Sequence, residues 1–105
     1  MFESIKNLLG IKTINYAQLV KEGAIILDVR TKGEYGSGHI RGSVNIPVEQ
    51  LHKNLQKFKD KKRPIITCCA SGMRSASAKS ILLSNGFSNI YNGGSWNRLN
   101  MKVNS

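Results

Sequence analysis

The stretch from Pro64 to Ser75 confines the fold more tightly than any other. Pro64-Ile65-Ile66-Thr67 is a short apolar run preceded by the charged turn Asp60-Lys61-Lys62-Arg63, and it reads as a buried strand. A small-residue helix follows from Ser75 to Asn85, stopped by Gly86. The tight loop between them opens with cysteine and holds Ser71, Gly72 and Arg74. Successive backbone N–H groups in such a loop curl into an anion-binding nest, reinforced by the positive end of the following helix. A cysteine at the mouth of that nest ionises readily, because its thiolate is the anion being cradled.

The rest of the chain supplies elements that fit beside this one. Met1 to Gly10 puts Phe2, Ile5, Leu8 and Leu9 at helical spacing, which suits packing on the domain or contact with a membrane surface. Lys12 to Ile14 is expected as a brief first strand, and Asn15 as the N-cap of a helix ended by Gly23. Ala24-Ile25-Ile26-Leu27 is continuous and apolar, as a central parallel strand is. Asp28-Val29-Arg30 brings charge to the carboxyl end of that strand, where open α/β sheets bind ligands.

A glycine-rich connection, Thr31 to Gly42, leads to a short strand at Ser43 to Ile46. Pro47 opens a helix whose apolar face is Val48, Leu51, Leu55 and Phe58. Beyond Gly86, Asn89-Ile90-Tyr91 reads as a last strand and Asn92-Gly93-Gly94 as a tight turn into Ser95-Trp96. The order β-α-β-α-β-α-β-α-β calls for a parallel sheet with helices on both faces. The domain spans 12–99, with a helix or extension at 1–11 and a tail at 100–105.

At 105 residues the chain is one domain, able to bury roughly 65% of its unfolded surface. Its formal charge is +10, with six of sixteen Lys and Arg between Lys53 and Arg63. Such a field favours small anions or acidic proteins, and the absence of interleaved aromatics argues against nucleic acid. Cys68 and Cys69 are adjacent and cannot form an unstrained disulfide. Two thiols do not make a zinc site, and His39 and His52 sit at no recognised ligand spacing, so no metal or cofactor is expected. Free thiols and the lack of any transmembrane or signal-like apolar run point to the cytoplasm.

Several segments together resemble the rhodanese domain family of sulfurtransferases, specifically its small single-domain members. They are Leu27-Asp28-Val29-Arg30 with Glu34-Tyr35, Gly38-His39-Ile40, Gly42 to Pro47, Cys69 to Ser75, Gly86-Phe87, and Asn92-Gly93-Gly94 with Trp96, in family order across residues 12 to 97. The resemblance implies a five-stranded parallel sheet flanked by helices. It places the nucleophile at the first residue of a six-residue loop, Cys69, with Ala70, Ser71, Gly72, Met73 and Arg74 as the cradle. It implies that Cys69 takes the outer sulfur of a donor such as thiosulfate as a persulfide. A thiol or cyanide then accepts that sulfur, with no metal and no cofactor. Asp28 and Arg30 are expected as an ion-pair scaffold and Ser75 as a supporting residue. Arg74 serves either as a loop brace or as a donor contact.

Two other readings share the sequence. Counted from Cys68, five residues precede Arg74, the spacing of a cysteine-based phosphatase or arsenate reductase loop; Thr67 in place of histidine and the lack of a placed general acid weigh against it. A persulfide carrier or docking module for an acidic partner, recognised through Lys53 and Lys57, would use Cys69 in the same way. Cys68 is expected to point into the core, the other possibilities being a resolving thiol or a site of oxidation. Glu34 is expected to cap a short helix, His39 to sit in a rigid turn, and Trp96 to pack at the site rim.

Overall fold

The computed structural model describes residues 13–104. Its strands are β1 (Ile25–Asp28), β2 (Val44–Asn45), β3 (Ile65–Cys69) and β4 (Ile90–Ser95). Its helices are α1 (Tyr16–Lys21), α2 (Lys32–Gly36), α3 (Met73–Ser84) and α4 (Trp96–Val103), with a 3-10 helix at Val48–Lys57. The four strands form one sheet in the order β2-β1-β3-β4, parallel throughout.

Strand alternation divides the core into two layers. Leu27, Ile65 and Cys69 enter the layer with Leu51, Phe58, Ala78, Leu82 and Phe87, under the 3-10 helix and α3. Ile26, Ile66 and Cys68 enter the opposite layer with Ile40 and Leu99, against which Leu19, Trp96 and Val103 pack. All five residues of β3 are buried, as the continuous apolar run requires of a strand covered on both faces.

Local signals in the sequence set several boundaries. The Asn15 side chain accepts from the Gln18 N–H at 3.0 Å and starts α1. Thr31 and Glu34 form a reciprocal capping box that starts α2. Leu51 in the 3-10 helix and Phe58 at its C-cap are buried, and the spacings Val48–Leu51 and Leu55–Phe58 match a repeat of three residues per turn.

Three expectations need correction. The sheet of the described residues has four strands, not five: Thr13 and Ile14 join no strand, Ile14 is exposed, and Lys12 lies outside the described residues. The segment Met1 to Gly10 lies outside them as well. The tail expected from Asn100 is helical to Val103, because Leu99 and Val103 anchor α4 on the core. Asn92-Gly93-Gly94 is not a turn but part of β4. There Thr67 pairs with Asn92 and Cys69 with Ser95, so β4 carries one residue more than β3 between those pairs, a bulge.

Gly93 is needed in that bulge. A Cβ there would stand 2.8 Å from both Ile66 Cγ2 and Leu99 Cδ2, and 3.0 Å from the Thr67 carbonyl. Gly93→Ala is therefore expected to destabilise the fold by about 1–3 kcal/mol through overpacking. Urea unfolding should show a lower midpoint at an unchanged slope.

Candidate active site

β3 delivers Cys69 to the carboxyl edge of the sheet, and the chain then turns within three residues into α3. Gly72 makes that turn at φ 108, a left-handed conformation that side-chain-bearing residues rarely adopt. The turn aims backbone donors at the sulfur. The N–H of Gly72 donates to Cys69 Sγ at 3.0 Å and that of Ser75 at 3.4 Å, with the Ser75 hydroxyl 3.6 Å away.

These contacts decide the charge on the sulfur. Burial pushes the Cys69 thiol up, but the contact with the Ser75 hydroxyl and hydrogen bonds from the N–H groups of Ser75, Gly72 and Ser71 outweigh it. The result lies below the ordinary thiol value, because these donors favour the anion. Its neighbour has the opposite fate. Cys68 points into the other layer, where burial and the adjacent Asp28 charge push its thiol up to about 12.

Cys69 has no exposed surface, yet Ala70, Ser71 and Met73 around it are exposed, so the sulfur lies just beneath the rim. The cradle itself is held from below. Thr67 donates its hydroxyl proton to the Ser75 carbonyl at 2.9 Å. Asn92 Oδ1 lies 2.7 Å from the Ser75 hydroxyl and accepts from the Gly94 N–H at 3.0 Å. Asn92 was not singled out from the sequence; its signal, a polar side chain ahead of two glycines, reads as turn chemistry.

Arg74 grips Glu34 through two hydrogen bonds, 2.7 and 3.0 Å long. The guanidinium, with the Thr31 donors, holds the Glu34 carboxyl down at about 2. Glu34 thus caps α2, as expected, and also braces α3, which was not. Behind it lies the buried pair Arg30–Asp28, at 2.7 Å. Arg30 donates further to the carbonyls of Glu34 (3.2 Å) and Gly38 (2.7 Å), and its guanidinium lies 4.6 Å from the centre of the Trp96 ring. Asp28 and Arg30 therefore hold the connection that carries Glu34. His39 stacks on Tyr35 at 3.8 Å, with Nδ1 2.7 Å from the Tyr35 carbonyl. Among the described residues no three potential metal ligands converge, and no helix is long and apolar enough to cross a membrane.

Comparison with known proteins finds relatives of this fold. The model of the Rhodanese-like domain matches residues 14–99. The thiosulfate sulfurtransferase GlpE of Pseudoalteromonas translucida is 36% identical over 88 residues, covering 79% of this chain and 82% of that protein. GlpE of Pseudomonas fluorescens is 35% identical over 77 residues, covering 72% and 70%. A human single-domain sulfurtransferase, TSTD1, superposes with a TM-score of 0.70 at 26% identity, covering 83% of this chain and 88% of that one.

The two sulfurs should separate cleanly in an alkylation experiment. Native protein treated with iodoacetamide is expected to take one adduct, on Cys69, with a pH midpoint below the ordinary thiol value. Ser75→Ala should move that midpoint upward, since it removes a group that favours the thiolate. Equal labelling of Cys68 would contradict the assignment.

Proposed function

The chain belongs to the rhodanese-like domain family, and on that premise we propose that it is a sulfurtransferase working through a persulfide on Cys69. The observation that carries the reading is the set of backbone N–H groups converging on one sulfur at the end of β3. They hold the thiolate before a donor arrives, so no general base is needed to generate the nucleophile.

With thiosulfate as donor, Cys69 Sγ attacks the outer sulfur. The bond between that sulfur and the sulfonate breaks, sulfite leaves with its electron pair, and the new terminal sulfur carries the negative charge. The amides around the loop face this charge as they faced the thiolate, in the manner of an oxyanion hole. A thiol or cyanide then removes the terminal sulfur and returns Cys69 to the thiolate. Ala70, Ser71, Gly72 and Met73 form the cradle through their backbone, Ser75 lends it a hydroxyl, and Arg74 braces it through Glu34. Two unpaired thiols suit a reducing compartment, and we place this activity in the cytoplasm.

A Cys68-centred phosphatase or arsenate reductase loop has less support. Its nucleophile would be a core thiol pushed up to about 12, and of the two aspartates available as an acid Asp28 is buried against Arg30 and Asp60 sits in the lysine-rich turn before β3. A carrier that passes its sulfur only to an acidic protein partner would use the same Cys69 chemistry, and acceptor turnover distinguishes it from a free enzyme.

Intact mass after incubation with thiosulfate tests the proposal. Wild type and Cys68→Ser are expected to gain about 32 Da, one sulfur, and Cys69→Ser to gain nothing. A gain that depends on Cys68 would overturn the assignment of the nucleophile. Once loaded, release of the sulfur to a small thiol marks a free enzyme, and release only to a protein marks a carrier.

A further inference from the structure

Positive charge beside the cradle does not come from the cradle. Ala70 and Met73 carry none, and Arg74 is bound to Glu34. It comes from α4. A cleft of about 470 Å³ adjoins the loop, lined by Ala70 and Ser71 on one side and by Gly93, Gly94, Arg98 and Lys102 on the other. Arg98 and Lys102 lie four residues apart on one helix and so share a face. Arg98 is exposed and makes no hydrogen bond or ion pair among the described residues, whereas Lys102 also lies 5.5 Å from the centre of the Tyr16 ring. No carboxylate lines the cleft.

We propose that this cleft is a subsite for the thiol acceptor, in which Arg98, aided by Lys102, binds a carboxylate of the acceptor while its sulfur reaches Cys69. The proposal rests on the sulfurtransferase reading. Three features carry it. The cleft shares with the cradle the two residues that directly follow the nucleophile, so a molecule seated there is already beside the loop. Its volume falls in the range of small-molecule sites and would be mostly empty around thiosulfate. Its glycine wall offers backbone and open space, and its only charges are positive. In the step served, the acceptor thiol loses its proton to solvent and its sulfur attacks the terminal persulfide sulfur. The bond from that sulfur to Cys69 Sγ breaks with its electron pair going to Sγ, and a new persulfide leaves on the acceptor.

The test compares mercaptosuccinate, a thiol bearing carboxylates, with 2-mercaptoethanol, which bears none. Cys69 is loaded from thiosulfate and each thiol is reacted in a single turnover with wild type, Arg98→Gln, Arg98→Lys and the distant charge control Lys59→Gln. The ratio of rate constants, mercaptosuccinate over mercaptoethanol, is expected to fall about fivefold in Arg98→Gln, the size of one exposed ion pair. Arg98→Lys should retain most of the ratio, and Lys59→Gln all of it. An unchanged ratio in Arg98→Gln, or the same fall in Lys59→Gln, overturns the proposal. So does a loss confined to thiosulfate loading. A second measurement needs no sulfur transfer: (methylthio)succinate should shift the amide resonances of Ala70, Ser71 and Gly94 in wild type and do so more weakly in Arg98→Gln. Absence of those shifts also overturns the subsite. If Cys69 never accepts sulfur, the mass experiment exposes that separately, and this titration still decides the cleft.

Discussion

The two-residue period of a β-strand decides which of two adjacent cysteines meets the backbone donors of the following turn. β3 is buried on both faces, so every side chain along it is committed to one layer or the other. Cys68 falls in the layer of Ile26, Ile66 and Leu99, beside Asp28, where a thiolate would be an unpaired charge in apolar surroundings. Cys69 falls on the opposite side as the strand ends, and the backbone of the following turn closes over its sulfur. A slip of one residue in β3 would exchange these environments and leave the N–H groups of Gly72 and Ser75 without their acceptor. Which sulfur the backbone donors meet is thus a consequence of register, itself pinned by Ile65 and Ile66 pairing with Ile25 and Ile26 on one side and with Ile90 and Tyr91 on the other.

Register alone would not keep a loop of small residues in one shape. The restraint arrives along a relay of side chains that begins at the end of β1. Asp28 fixes Arg30, Arg30 fixes the Glu34 and Gly38 carbonyls, and Glu34 fixes Arg74 on the first turn of α3. On the other flank Asn92 and the β4 bulge hold Ser75 and Gly72. Each member is a polar group satisfied by the next, and no buried side-chain polar atom among the described residues lacks a partner. A network complete in this way specifies one arrangement, whereas a gap in it would leave a buried group unsolvated. With Arg74 tied into the relay, the hydrogen bonds at the sulfur come from the backbone of the turn and from Ser75.

What was legible in the sequence follows from how local each signal is. Ala24–Leu27 and Pro64–Thr67 announced the central strands because burial on both faces leaves no polar alternation to confuse the pattern. Asn15 and Gly72 announced a cap and a turn through chemistry contained within a few residues. The turn that brings the Gly72 and Ser75 N–H groups to the Cys69 sulfur was legible for the same reason, being built from consecutive residues. The errors lie where distant contacts override local ones. Asn92-Gly93-Gly94 has the composition of a turn, and only the close approach of Ile66 and Leu99 explains why glycine is needed inside a strand. Asn100 to Val103 looks polar enough for a tail, yet Leu99 and Val103 on one face suffice to dock it. The reach of Glu34 to Arg74, forty residues away, has no local signature at all.

The division of labour between backbone and side chains also bears on how such a site handles its reacting charge. In the proposed transfer the negative charge sits on Sγ before the step and on a terminal sulfur one bond further out after it. A fixed cation placed to meet the first would be misplaced for the second. A ring of N–H groups from a curled loop presents donors at several depths, so the charge moves among them without side-chain rearrangement. Formal positive charge is then free to lie outside the ring, and in this chain it does so on α4.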